Sequence, residues 1–449
     1  MFRRILIANR GEVAARVLRT CKRMGVEAVA VASHADRDHR WLQEADDVVV
    51  LGPARASDSY LDADAILSAA RARGCSAVHP GWGFLAENAH FAARCHAAGL
   101  TFIGPSPRAM QRMGDKALAR ETMAALGMPV IPGTKRVLPD VEAAQRAALD
   151  VGFPVLLKAV AGGGGRGMRV VASKADLPRA WSEATSESVS AFGDGRMYLE
   201  KLIVGGRHIE VQVVGDRYGN VVVLGERECS LQRRHQKVLE EAPSPGLPAE
   251  ERDRILPLVA EVVARAGYVN AGTIEMLLDA DGNLYFMEMN TRLQVEHCVT
   301  EAVTGIDLVE WQLRVAANQP LPAAQSDIQI QGHAIECRIN AEDPEDGFRP
   351  SPGRVEVLSF GSGEGIRVDT HLRPNDRIPP NYDSMVAKVI AHGATRPEAI
   401  ARMAKALEAT EIVGVKTNIR LHQRILQWEP FVSGAYDTTS LETDLMGAE

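Results

Sequence analysis

Apolar positions along this chain follow two rhythms: short continuous runs bounded by turn residues, and longer stretches in which they recur every three or four residues. These are the periods of buried strands and of amphipathic helices. Arg4 to Ala8 reads as a buried strand, and Gly11 to Met24 as a helix with Val13, Val17 and Cys21 on one face. Val26 to Val31 is a second strand, and Asp47 to Leu51 (strand), Tyr60 to Arg73 (helix) and Ala77-Val78 (strand) continue the alternation. Strand–helix–strand order predicts a parallel sheet. The turn Asn9-Arg10-Gly11-Glu12 lacks the glycine pattern of a dinucleotide site, so no NAD is expected there.

A first domain closes near Gly114 on this reading. Asp115 to Leu126 is helical and carries Lys116, and Gly127-Met128-Pro129 breaks it. From about Val130 to Leu202 runs a smaller module with an amphipathic helix, Lys174 to Ser188. Beyond Ile203 the period changes to two, as in Ile209-Val211-Val213 and Val221-Val223, which predicts an antiparallel sheet. Asn318 to Pro322 and Ala323 to Asp327 mark a surface connection. Val355-Val357 and Ala387-Val389 are strand-like, and Arg396 to Ala409 helical. The expected class is α/β with α+β elements, divided as 1–114, 115–202 and 203–449.

Within the middle module, Phe153 to Val171 (FPVLLKAVAGGGGRGMRVV) carries the first chemical signal. Val155-Leu156-Leu157 is a strand ended by Lys158. Gly162 to Gly165, Arg166 and Gly167 follow, and Met168 to Val171 is a second strand. Glycines let backbone N–H groups close on an anion from any φ. Flanking β-branched runs and cations favour a phosphate-covering hairpin lid over a flexible linker. The spacing fits neither a P-loop nor a glycine turn that opens a helix.

Composition narrows the classes. With 449 residues, roughly two to four domains are expected. A net charge of −7 argues against a nucleic-acid role, which needs a basic face. The six cysteines are scattered with no C-x-x-C, as in a protein of a reducing, cytoplasmic compartment. No apolar run approaches the roughly 18 residues of a membrane span. The N-terminus enters a strand without room for a signal peptide.

A second signal lies in AGTIEMLLDADGNLYFMEMNTRLQVEH, where Asp281-Gly282 is a hairpin turn signal between apolar strands. A two-residue turn there places Glu275 opposite Glu288, with Cβ atoms about 4.5–5.5 Å apart, where like charges repel. Asn290 shares the face of Glu288. Two carboxylates and an amide oxygen form a hard donor set for Mg²⁺ or Mn²⁺ shared with phosphates; the plain alternative is a carboxylate paired with a lysine or arginine. Continued alternation puts Arg292, Gln294 and Glu296 on that face. There the arginine would bind a carboxylate-like anion and Glu296 would serve as a general base, against the alternative of a surface salt-bridge ladder.

Arg233, Arg234, His235 and Lys237, with Gln232, form a cationic segment suited to a phosphate or a small anion. His79 to Phe84, with Trp82, is a loop at a strand's carboxyl end, where ligands of α/β sheets sit; core packing of Trp82 competes with that reading. In Gly332 to Asp343, Ile335, Cys337 and Ile339 face inward, and Arg338 faces the other side.

Together these blocks resemble the biotin carboxylase branch of the ATP-grasp enzymes over essentially the whole chain. They include IANRGEVAARV (Ile7 to Val17), HPGWGFLAEN (His79 to Asn88), MGDK (Met113 to Lys116), GGGGRGM and ECSLQRRHQKVLEEAP (Glu228 to Pro243). EMNTRLQVEH (Glu288 to His297), GHAIECRINAEDP (Gly332 to Pro344), SPG (Ser351 to Gly353), YDSM (Tyr382 to Met385) and GVKTN (Gly414 to Asn418) follow in order. The resemblance implies an ATP-grasp fold with an N-terminal Rossmann-like domain, a mobile lid and a C-terminal antiparallel-sheet domain. It implies that Lys116 and Lys158 hold ATP phosphates under Gly164 and Gly165. Glu200, Lys201, Leu202 and Ile203 would form the adenine hinge, and His208, Gln232 and His235 would complete the nucleotide site. Glu275, Glu288 and Asn290 would ligate Mg²⁺, the first two also belonging to the ATP site. Arg292, Gln294, the Val295 backbone and Lys237 would hold bicarbonate, with Glu296 deprotonating it. Arg338 would stabilise the biotin enolate beside Trp82.

The resemblance further implies a ligase acting on biotin borne by a separate carrier protein, with a carboxyltransferase subunit as second partner and an acetyl-CoA carboxylase as the expected assembly. It implies a homodimer, with Arg16 and Arg19 on the helix used for it; charge and the lack of a long apolar run point to no nucleic-acid or membrane partner. No Met-Lys-Met biotin acceptor occurs in the chain. Three positions depart from the family pattern: Trp82 in place of tyrosine, Cys298 in place of proline, and the extra cation in Phe348-Arg349-Pro350. A different ATP-grasp carboxylate ligase and a non-catalytic regulatory paralogue are the competing readings; the presence of Lys237, Glu296 and Arg338 weighs against the first, and the retention of the expected metal ligands and base against the second.

Overall fold

A computed structural model describes residues 1–134, 136–161 and 167–447. The predicted strand–helix alternation forms a five-stranded parallel sheet from β1 (Arg4–Ile7), β2 (Glu27–Ser33), β3 (Asp47–Gly52), β4 (Ala77–His79) and β5 (Thr101–Phe102), in the order β3-β2-β1-β4-β5. Ile5, Leu6 and Ile7 are all fully buried, as expected of a central strand covered on both faces. The helix Gly11–Arg23 packs on one side of it.

Local chemistry sets several boundaries. The predicted helix from Tyr60 begins only at Ala63, because Asp62 caps it by accepting from the Ala65 N–H. Tyr60 instead enters the core and donates to Asp36 at 2.6 Å. Asp115 caps the helix Lys116–Ala125 and so sets Lys116 at its first turn. Asn9 donates to the carbonyls of both Pro80 and Trp82 at 2.7 Å, tying the loop after β4 to the end of β1. Gly81 has φ of +64°, and a Cβ there would lie 2.9 Å from the Asn9 amide nitrogen. That position in the Trp82 loop therefore requires glycine.

The middle module is a three-stranded antiparallel sheet, β6 (Val155–Ala159), β7 (Met168–Val171) and β8 (Met197–Lys201), in the order β7-β6-β8. The strand–strand pairing predicted around the glycine stretch is present, with Lys158 opposite Met168. Gly162 to Gly165 and Arg166 lie outside the described residues. The helix predicted at Lys174 to Ser188 spans Leu177–Phe192 and stops at Gly193 in the left-handed region.

The remainder centres on an eight-stranded antiparallel sheet. Its strands are β9 (Arg207–Gly215), β10 (Val221–Arg233), β11 (Gln236–Ala242), β12 (Asn270–Leu278), β13 (Leu284–Asn290) and β14 (His333–Asn340), with Ile366–Thr370 and Met385–Gly393. The order runs β13-β12-β9-β10-β11-β14, then Met385–Gly393 and Ile366–Thr370. The helix Ala249–Arg265 seals the β9–β12 face through Ile255, Val259 and Val262, and Arg396–Glu408 covers the other end. The strand expected across Val355-Val357 is split: Gly353–Arg354 and Val357–Ser359 pair with different partners. Among the described residues, no helix is long and apolar enough to cross a membrane. All six cysteines are buried and free.

Candidate active site

A cavity of about 500 Å³ opens where the Trp82 loop, the three-stranded sheet and the eight-stranded sheet meet. Its walls include Lys116, Lys158, His208, Gln232, His235, Lys237, Glu275 and Glu288. Asn290, Arg292, Gln294, Val295, Glu296, Arg338 and Trp82 complete the set singled out from the sequence. Glu200, Lys201, Leu202 and Ile203 are not part of that lining. The Glu200 carboxylate is nearby, however, and accepts from Lys158 Nζ at 2.6 Å. Lys201 Nζ turns to the carbonyls of Gly152 and Phe153, and the Leu202 N–H donates to Pro154.

The hairpin between β12 and β13 differs from its simplest form. Near the turn Leu278 faces Leu284 and Met276 faces Phe286, and Asp279 donates its N–H to Asn283 at 3.0 Å, so residues 280–282 form a three-residue loop. A bulge then shifts the register, and Glu275 faces Glu288 as predicted. The row extends further: Glu275 is also directly opposite Glu210 on β9, and Glu210 opposite Arg227 on β10. Three acids thus lie in register across three strands. Glu210 was not singled out from sequence, although its place between Ile209 and Val211 in a period-two run is the signal that sets it on the face opposite theirs.

Repulsion along this row is offset by cations, of which Arg227 and His208 are buried and Lys237 and Lys116 half-buried. Lys237 Nζ binds Glu210, Glu275 at 3.1 Å and Glu296 at 2.8 Å. Arg227, fully buried, binds Glu210 at 3.0 Å. His208 Nε2 lies 3.2 Å from Glu275, and Gln232 lies 2.9 Å from the other ring nitrogen. Lys116 binds Glu288 at 2.9 Å. Burial opposes charge on Glu275, yet Lys237 and His208 hold its carboxyl well below the usual range. Burial would lower His208, but Glu275 and Glu210 raise it to about 9.

The donor set fits a divalent cation. Glu275, Glu288 and Asn290 present hard oxygens on one face, and the ammonium groups of Lys237 and Lys116 stand where positive charge is required. Asn290 donates to Glu275 at 2.7 Å.

After Asn290 the expected alternation fails. Residues 291–296 are irregular, and Glu296 is the first residue before the helix His297–Thr304. Arg292, Gln294 and Glu296 converge all the same, because the loop is pinned at both ends. Glu87 accepts from the Thr291 N–H and from Arg292 Nε, both at 2.9 Å. Lys388, fully buried on the strand Met385–Gly393, donates to the Val295 carbonyl at 2.8 Å. Gln294 donates to Glu275 at 3.1 Å, and Arg292 to Asn290 at 3.1 Å.

Glu296 is the junction. One oxygen accepts from Lys237 and the other from Arg338 Nη2 at 2.9 Å. Burial and Glu210 push its carboxyl up, but Lys237, Arg338 and Arg227 outweigh them and lower it. Arg338 is therefore no ordinary surface arginine: its Nε donates to Glu240 at 2.6 Å, deep in the sheet. His235 and Arg234 form the two-residue tip of the β10–β11 hairpin, both at positive φ, as such a turn requires. Arg16, assigned by the resemblance to a dimer helix, is buried against Glu301 and Asp307 of its own chain, while Arg19 is half exposed and reaches Asp369.

An antiparallel sheet bearing acids and cations, faced by a smaller sheet that carries a lysine beside a glycine stretch, defines the ATP-grasp class. The family described as Biotin carboxylase, N-terminal domain matches residues 1–110. Carbamoyl-phosphate synthase L chain, ATP binding domain matches 115–324, and Biotin carboxylase C-terminal domain matches 336–443. Biotin carboxylase 1 of Bacillus subtilis is 48% identical over 450 residues, covering 100% of each chain. The biotin carboxylase domain of Hydrogenobacter thermophilus 2-oxoglutarate carboxylase superposes with a TM-score of 0.95 at 47% identity, over 100% of this chain and 99% of that one. A Campylobacter jejuni biotin carboxylase ATP complex gives 0.95 at 46%, over 99% of both. The chain belongs to the biotin carboxylase family.

Proposed function

We propose that this enzyme carboxylates N1′ of biotin borne on a carrier protein, using ATP and bicarbonate and passing through carboxyphosphate. The observation that carries the reading is Glu296, an ionised carboxylate held between Lys237 and Arg338 on the wall of the cavity that also holds the Glu275–Glu288 pair. The H. thermophilus domain was solved as a dimer with MgADP and bicarbonate, in keeping with these substrates and with a homodimer here.

Lys116 and Lys158 bind the ATP phosphates, and the glycine stretch that contains Gly164 and Gly165 belongs to the same proposed phosphate site. Glu200 to Ile203, His208, Gln232 and His235 hold the rest of the nucleotide. Glu275, Glu288 and Asn290 would hold Mg²⁺ (or Mn²⁺), which would supply positive charge beside the phosphates. Arg292, Gln294, the Val295 backbone and Lys237 bind bicarbonate, and Glu296 accepts its proton as a bicarbonate oxygen attacks the γ-phosphorus and ADP departs. Carboxyphosphate then breaks down to CO₂ and phosphate. The phosphate takes the N1′ proton, and the biotin enolate, stabilised by Arg338 beside Trp82, attacks CO₂ to form the N–C bond. Donors aimed at oxyanions before they develop contribute the largest share of such catalysis.

The domain division 1–114, 115–202 and 203–449 belongs to this proposal. So do a carrier protein and a carboxyltransferase as partners, acetyl-CoA carboxylase as the assembly, and a cytoplasmic location. Phosphate release from Mg-ATP and bicarbonate, measured with and without free biotin, tests the reaction. Biotin-stimulated release with labelled carboxybiotin is expected; release that ignores both biotin and a carrier would overturn it.

A further inference from the structure

Behind Arg338 lies a pair of acids that the reaction described above does not use. The β11–β14 register sets Glu240 directly opposite Glu336, and both are fully buried. Opposed side chains on adjacent antiparallel strands have Cβ atoms about 4.5–5.5 Å apart, close enough for their carboxyl groups to meet. Glu240 Oε1 accepts from Arg338 Nε at 2.6 Å. Glu240 Oε2 and both oxygens of Glu336 find no hydrogen-bond partner. Three orphaned carboxylate oxygens in one buried pair would be severely unfavourable if both groups were ionised. A single proton pairs two of the three, because it turns one acceptor into a donor aimed at the other, and the third is left as the oxygen of an uncharged carboxyl, which costs less to bury than that of a carboxylate.

We infer that Glu240 and Glu336 share one proton at neutral pH, Glu336 donating it to the free Oε2 of Glu240, and that the pair positions Arg338 for the carboxylation step. The inference rests on the function proposed above. With one proton present, the pair presents a single negative charge, which holds the Nε edge of Arg338 and leaves Nη2 to Glu296. A second negative charge would draw the guanidinium away from Glu296 and the cavity. Burial raises both carboxyls, Glu240 to about 7 and Glu336 well above the usual range.

The surrounding charges are compatible with one proton and no more. On the side of the pair nearest the cavity lie Lys237, Arg338 and the anionic Glu296. Lys388, on the neighbouring strand opposite Arg338, faces Glu336 but is engaged by Glu12 at 3.0 Å and by the Val295 carbonyl. The thiols of Cys229, Cys298 and Cys337 are pushed up by burial and remain neutral. Doubly ionised, the pair together with Glu296 would crowd three anions around one guanidinium.

The experiment combines infrared spectra of isotopically glutamate-labelled protein with steady-state kinetics on the full chain. At neutral pH the wild type should show a protonated-carboxyl band that disappears in Glu336→Gln, whose amide N–H replaces the shared proton. Glu336→Gln should keep kcat within about twofold and lose the alkaline fall of the pH profile that accompanies removal of the proton. Glu240→Gln should lower kcat for biotin carboxylation about tenfold, the effect of losing one charged hydrogen bond, with KM for ATP unchanged. No band in the wild type, a band that survives in Glu336→Gln, or wild-type kcat in Glu240→Gln would overturn the inference. The spectra do not depend on turnover. A protein that shows the band yet fails to carboxylate biotin would therefore refute the function and uphold the pair.

Discussion

Lys237 Nζ stands 2.8 Å from Glu296 Oε1, and the same ammonium also binds Glu275 and Glu210. One cation thus links Glu296, the proposed base, to the row of acids on the sheet. Because its neighbours lower the Glu296 carboxyl, the group is already ionised at neutral pH. The active form is the deprotonated one, so activity is lost only as pH falls through the lowered value. The acid limb of kcat/KM is expected below the ordinary carboxylate range, about pH 4.3. Glu296→Ala should abolish bicarbonate-dependent phosphate release; retained release would refute the role of base.

Glu288 faces Glu275 but is held by Lys116 rather than by Lys237. Glu288→Gln keeps the shape and removes one of the two carboxylate charges proposed to ligate the metal. The Mg²⁺ concentration for half-maximal activity should rise by about tenfold or more, the usual cost of weakening a metal site. Chelation of Mg²⁺ should halt turnover of the wild type. Unchanged Mg²⁺ dependence in the variant would sink the assignment.

Asp307 caps the helix Leu308–Ala316 and binds Arg16 at 3.0 Å, and together these interactions lower its carboxyl to about 2 against the opposing effect of burial. A depressed carboxyl stabilises the fold above its unfolded value, about 3.9, and the gain vanishes as pH falls through the folded one. Asp307→Asn should cost about 2 kcal/mol at neutral pH. The gap between wild type and variant in urea unfolding should narrow between about pH 4 and 2. A gap that stays constant with pH would contradict the ion pair.

Trp82 lies on the cavity wall, and its indole N–H is buried without a hydrogen-bond partner. Trp82→Phe should change KM for biotin several-fold, on the scale of one hydrogen bond and some packing, and leave bicarbonate-dependent ATP cleavage as it was. An equal effect on both reactions would place Trp82 in the fold rather than at the biotin end of the cavity.

Local signals proved reliable where a single strand or turn carried them. The continuous apolar runs became the parallel sheet, and the glycine stretch lies between paired strands. Glu275 met Glu288 although the turn is one residue longer than expected, because a bulge compensates. The extrapolation past Asn290 failed as geometry, since the strand ends there; the loop is directed by Glu87 and Lys388, which are distant in sequence.

From the sequence alone came the period of each element, the family and the residue types able to bind phosphate, metal and bicarbonate, because these depend on neighbours a few positions apart or on ordered blocks. Only the tertiary structure brought Glu210 into register with Glu275, directed Arg16 into its own chain and set Glu240 against Glu336 behind Arg338. Whether a buried carboxyl is paired, protonated or free follows from strands many residues apart and from the water they exclude, and no local pattern encodes that.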